Sequence, residues 1–315
     1  MKSWLAKNTD VAIFCLSMIL GVGAFIVFSH NGLVYSNFDA LSRLNIARKI
    51  IDNLTPGLAQ LGNVWLPLPQ ILMLPLIWYE PFWHNSVAGS IPSIISFALS
   101  ALYLFKLSGL ITEKVWPRLV ALLIYLLNTN LLLIQSMAMS ENLFLLFLVG
   151  GTYHLVRWAK TDNLKQLLAG ALHILLLTLV RYEGYAVFLA ATVFVATREF
   201  VRSKKWVTTE GKTVLFVTLA GFGIVLWTIY LWAIFGDPLY WQKIYSHQKS
   251  IISTDTVLEL KTFADQTAQP TGNKGHPLNS AWSYFQVVAY MSGIGLTIIS
   301  AALIPLFAIK EKIWK

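Results

Sequence analysis

Charge is scarce in this 315-residue chain, and acid is scarcest: Asp, Glu, Lys and Arg make up 12% of it, with 15 acids against 24 bases. A soluble domain carries about 25% charged residues. A chain that is 56% hydrophobic therefore reads as an all-α polytopic membrane protein. Cysteine is nearly absent; Cys15 alone excludes an intramolecular disulfide. Also missing are a Walker loop, a dinucleotide glycine fingerprint, HExxH and any Ser/His nucleophile motif. No soluble domain and no fixed-period repeat is evident. The histidines (His30, His84, His154, His173, His247, His276) show no metal-ligand spacing, and His173 reads as a packed side chain. The +9 formal charge lies mainly in short loops between apolar runs, as orientation signals do, and not in a basic domain for nucleic acid.

What is present is a series of apolar runs, each near the roughly 20 residues that cross about 30 Å of hydrocarbon as helix. They fall at 11–29, 87–108, 118–136, 142–158, 213–235 and 283–309. The first, behind the basic "MKSWLAKNTD", reads as an uncleaved signal anchor with its N-terminus in the cytoplasm. The stretch 167–197 is too long for one span, and "RYEG" divides it. Bases precede it (Arg157, Lys160, Lys165) and follow it (Arg198, Arg202, Lys204, Lys205, Lys212). Both flanks are then cytoplasmic, and the stretch is a hairpin, 167–181 and 184–198, with "RYEG" at its extracytoplasmic tip. A single transmembrane domain over 1–315 with about eight spans and both termini cytoplasmic results. The loops 30–86 and 236–282 lie outside. Within the first, "VWLPLPQILMLPLIW" carries Pro67, Pro69 and Pro75 and reads as interfacial or re-entrant, because a crossing there would invert every later loop.

Four groups of residues could carry chemistry, all on the extracytoplasmic side. In "SNFDALSRLNIARKI" the spacing of Phe38, Leu41, Leu44, Ala47 and Ile51 predicts an amphipathic helix, with Asp39 and Arg43 sharing the opposite face. Ser36 and Asp39 also read as a capping box. In "MAMSENLF", Ser140 can cap the next helix and Glu141 suits its positive end; Glu141 can equally orient a substrate or hold a cation. Arg181, Tyr182 and Glu183 place two charges in an apolar run. They read as a substrate or ion site, or as an ion pair fastening the hairpin; the planar fork of Arg181 suits a phosphate. In "FGDPLYWQKIYSHQK" a turn precedes interfacial aromatics, and Lys243 and His247 can donate to an anion.

In order, these segments resemble the amino-terminal part of the GT-C-fold glycosyltransferases that use polyprenyl-phosphate sugars, such as protein O-mannosyltransferases and lipid A aminoarabinose transferases. "NFDALSRLNIAR" follows the first span, then the proline-rich "WLPLPQILMLPLIW", "MSENLF", "LVRYEGY" and "FGDPLYW". The resemblance covers about residues 5–250 and departs from the pattern at Leu66-Pro67, where relatives often have His-Pro, and in a single Asp39 where relatives often have paired acids. It implies a cavity facing outside and a sugar on a polyprenyl phosphate, moved to a hydroxyl of a protein, glycan or lipid. It implies Asp39 as general base and the anomeric centre inverted. Arg181 would take the donor phosphate, with Arg43, Glu141, Tyr182, Glu183, Lys243 and His247 as further substrate contacts. A divalent cation, Mg or Mn, would fall to Asp39 and Glu141. It also implies a longer chain with more spans and a soluble carboxy-terminal domain. The competing readings from the residues are a secondary transporter, whose cavity charges relay ions or protons, and a membrane protein without activity. One broken hairpin without a counterpart speaks against the first.

Overall fold

Asparagine sets where several of the helices begin. The computed structural model describes residues 2–240, with side chains from residue 8 onward. The side chain of Asn37 accepts from the Asp39 amide at the start of α2, Phe38–Ile51. Asn128 accepts from two amides opening α7, Thr129–Gln135, and Asn163 from one opening α9, Leu164–Thr178. Each side-chain oxygen satisfies amides that the helix cannot pair internally. The other helices are α1 Lys2–His30, α3 Leu68–Ile77, α4 Glu80–His84, α5 Val87–Ile111, α6 Val115–Leu126, α8 Glu141–Thr161, α10 Glu183–Ser203 and α11 Trp206–Phe235. No strand occurs among the described residues.

Among the described residues four helices are long and apolar enough to cross a membrane: α1 over Asn8–His30, α5, α10 and α11. The chain is thus a helical, membrane-embedded protein. Its outward faces agree, since Ile19 and Ile26 on α1, Leu189 and Val193 on α10 and Ile229 and Trp232 on α11 are exposed. The predicted span 118–136 is two helices, α6 and α7, bent by 56°; the bend falls at Leu127 and Asn128, where Asn128 turns its side chain to cap α7. The hairpin breaks where "RYEG" places it. Its arms are unequal, at 15 and 21 residues, or about 22 and 31 Å of helix. The proline-rich segment forms α3, with Pro69 in its first turn and Pro75 inside. Its 10 residues reach about 15 Å, half a hydrocarbon core, in keeping with an interfacial or re-entrant element. The predicted span 283–309, and Lys243 and His247, lie outside the described residues.

The described helices belong to one compact unit, Met1–Trp241. α8 packs between α5 and α9, α9 between α8 and α11, and α1 lies against α5. The main core joins Leu155 and Trp158 of α8, Leu167, Ala171, Ile174 and Leu177 of α9, Val195 of α10 and Phe216 and Ala220 of α11. A second core seats the first loop: Ala40, Leu44 and Ala47 of α2 and Met73 and Ile77 of α3 meet Ala88 of α5 and the Met137–Ala138 turn. Close approach fixes that turn. A Cβ on Gly89 would collide with the Ala138 Cβ, and the Ser90 hydroxyl donates to the Ser136 carbonyl at 2.8 Å. Gln135 Nε2 donates to Gly21 O at 2.9 Å, which ties the same turn to α1.

Candidate functional site

The break between α9 and α10 brings a guanidinium onto two carboxylates. α9 ends at Thr178, α10 begins at Glu183, and Gly184 lets the turn close. A Cβ there would meet the Leu177 carbonyl oxygen at 2.7 Å. The first loop reaches the same place, because the Leu68 amide donates to the Leu179 carbonyl at 3.1 Å. Arg181 donates from Nη1 to Glu141 Oε1 at 2.8 Å and to Ser140 Oγ at 3.4 Å. Nη2 donates to Glu183 Oε1 at 2.7 Å, and Nε reaches both Glu183 oxygens at 3.3 Å. All three of its nitrogens are thus engaged. The pair with Glu183 is the hairpin fastening anticipated from sequence; the bond to Glu141, 40 positions away, fastens the hairpin to α8 as well. Ser140 stands at the N-cap position of α8 but makes no side-chain cap bond. Its hydroxyl donates to Glu141 Oε2 at 3.5 Å instead.

α2 supplies the second guanidinium, and here the predicted helix face is corrected. The buried stripe runs Ala40, Arg43, Leu44, Ala47, Ile50, whereas Phe38 is 86% exposed. Arg43 therefore faces inward, only 5% exposed, with its guanidinium carbon 4.8 Å from the centre of the Trp65 ring. Its Nε and Nη1 have no hydrogen-bond partner among the described residues. Burial lowers the affinity of Arg43 for its proton. The Glu141 charge opposes this, Arg181 adds to it and Asp39 opposes it, so all three charges act on Arg43. The capping box is corrected too. Asn37 is the cap, the Ser36 hydroxyl bonds to Leu33 O, and Asp39 contributes its amide to Asn37 Oδ1. The exposed Asp39 carboxylate takes no part in the cap.

Five residues singled out from sequence are thus linked through two guanidiniums: Asp39, Glu141 and Arg181 act on Arg43, and Glu141 and Glu183 pair with Arg181. Tyr182 turns away to α11, where its hydroxyl accepts from Trp227 Nε1 at 3.3 Å. Gly236 ends α11 at φ +72°, and Leu239 N donates to Asp237 Oδ1, the turn expected of "FGDP". His173 is packed as expected, Nδ1 on the Ala169 carbonyl at 2.8 Å and its ring edge-on to Tyr103. Sequence reasoning missed Trp65, Gln70 and Asn142. Gln70 and Asn142 are fully buried, and no side-chain nitrogen or oxygen of either has a partner among the described residues. Their signal was available: a lone amide inside the apolar proline segment, and an amide beside Glu141 at the start of a span. Buried polar groups are seldom left unpaired. Comparison with known protein families, curated proteins and solved structures finds no match to this chain.

Proposed function

We propose that this chain is a membrane glycosyltransferase of GT-C type, which moves a sugar from a polyprenyl phosphate to an acceptor hydroxyl on the extracytoplasmic side. In this reading α8 and α9 also cross, eight spans result, and both termini are cytoplasmic. The observation that carries the proposal is Arg43: a buried guanidinium with two unpartnered nitrogens, acted on by Asp39, Glu141 and Arg181. A buried cation with open donors suits an anionic ligand, and a guanidinium suits a phosphate. The sugar comes from the resemblance of the ordered segments.

In the reaction, the acceptor oxygen attacks the anomeric carbon and its proton passes to the Asp39 carboxylate. The bond from the anomeric carbon to the phosphate oxygen breaks, and its electron pair stays on the phosphate. Arg43 meets the growing charge with donors already open, which needs no rearrangement at the moment of reaction. Arg181 joins by exchanging Glu183, its more exposed partner (60% against 33% for Glu141). Glu141 stays on Arg181 and orients it. Among the described residues no three His, Cys, Asp or Glu side chains gather as a metal site. The test is transfer from a radiolabelled polyprenyl-phosphate sugar by purified protein. Asp39→Asn should lower the rate about 10²–10⁴-fold with donor binding kept. An undiminished rate, or a product that retains the donor configuration, overturns the assignment.

A further inference from the structure

The turn between α10 and α11 lies in the basic stretch 198–212, which orientation alone leaves only partly explained. Arg202 pairs with Asp162 and Glu199, as does Lys212, and Arg198 donates to the Ala159 carbonyl. These cations are used within the protein. Lys204 and Lys205, by contrast, are exposed, and neither ammonium has a partner among the described residues. Lys204 also sits at φ +51°, in the left-handed region that favours glycine or asparagine.

Beside this turn a cavity of about 370 Å³ opens between α10 and α11, lined almost wholly by apolar atoms of Ala196, Phe200, Trp206, Thr209 and Thr213. Phe200 and Trp206 stand edge to face, ring centres 6.3 Å apart. The Thr213 hydroxyl is buried without a partner among the described residues. Glu210 completes the lining. Both helices are long and apolar enough to span a membrane, so an apolar slot between them is open to acyl chains.

We infer that this slot and its two lysines form a binding site for an anionic glycerophospholipid. One acyl chain lies between α10 and α11, the phosphate rests on Lys204 and Lys205, and a headgroup hydroxyl donates to Glu210. Charge complementarity selects this occupant: two free cations and one acid leave one positive charge, matching a singly anionic headgroup such as phosphatidylglycerol. The site is independent of the proposed transfer reaction.

Native mass spectrometry of the purified full chain, offered equimolar phosphatidylglycerol and phosphatidylcholine with identical chains, tests it. The wild type should favour phosphatidylglycerol about thirtyfold, from about fivefold per lysine at a membrane surface. The double variant Lys204→Ser, Lys205→Ser should bring the ratio near one. Ala196→Trp, which fills the slot, should lower both adducts. A second readout does not depend on that variant folding: phosphatidylglycerol with brominated chains should quench fluorescence of the wild type measurably more than of Trp206→Phe. Equal lipid binding by the wild type, selectivity kept by the double variant, or equal quenching overturns the inference.

Discussion

Replacing Arg43 by methionine should leave the ligand-free protein at least as stable as it was, unlike most substitutions of a buried residue. Arg43 is 5% exposed and leaves Nε and Nη1 without acceptors. Each unmade buried hydrogen bond costs about 1–3 kcal/mol, so removing both donors recovers at least about 2 kcal/mol on that scale. Lost in return is the stacking on Trp65 at 4.8 Å, about 1 kcal/mol. Also lost is the attraction of Glu141 and Asp39, which repulsion from Arg181 partly cancels. Methionine keeps an unbranched apolar stem that fits irregular space. The balance is a gain of about 1 kcal/mol, where a typical substitution loses about 1 kcal/mol. Reversible unfolding in mixed micelles, followed by tryptophan fluorescence, measures it. A polyprenyl phosphate at 100 times its Kd should then raise wild-type stability by about 2.7 kcal/mol and leave Arg43→Met unmoved. A variant destabilised by more than about 1 kcal/mol refutes the account of Arg43 as an unsatisfied cation. An equal response to the lipid phosphate refutes its role as receptor.

Double-mutant cycles should find Arg181 coupled to Glu141 by about 1 kcal/mol and to Glu183 by less than about 0.5 kcal/mol. Glu183 is 60% exposed and only two positions away, so that pair persists in the unfolded chain; equal couplings would contradict this. Asn37→Ala should destabilise by about 1 kcal/mol and Ser36→Ala by less than about 0.5 kcal/mol, because Asn37 holds the α2 cap. The reverse order by chemical denaturation would restore the capping box. Hydrogen bonds from Arg202, then Lys212, hold the Asp162 carboxyl below its usual range. A depressed folded value means stability present above the unfolded value near 3.9 and lost as pH falls through the folded one. Asp162→Asn should therefore be less stable than wild type at pH 7, and unfolding as a function of pH should show the gap closing with acid. A constant gap counts against the network.

Composition and apolar runs were enough to read a helical membrane protein. The break at "RYEG" was legible because an arginine and a glutamate cannot continue an apolar arm unpaired. The bend at Asn128 was not legible, since one asparagine inside an apolar run gives no sign that its side chain will turn to cap a new helix. The face of α2 was misread for a related reason. Phe38 looked like a core residue and Arg43 like a surface one, yet the helix is flanked by Trp65, which accepts a guanidinium, and by tight partners that admit Ala40 and Ala47. Periodicity ranks residues by hydropathy; it does not register that a charged side chain has somewhere to go. Gln70 and Asn142 escaped for want of any charge to draw the eye.

The bond from the Leu68 amide to the Leu179 carbonyl joins a donor at the start of α3 to an acceptor just past the end of α9. Two termini that would each have drawn a water molecule satisfy one another. Their relative position is thereby set from within. A proteolytic nick in the exposed 52–56 stretch would leave that junction whole in the larger piece, with the smaller piece still held by the packing of α1 on α5 and of α2 on α3, and the protein would migrate as two bands only after denaturation.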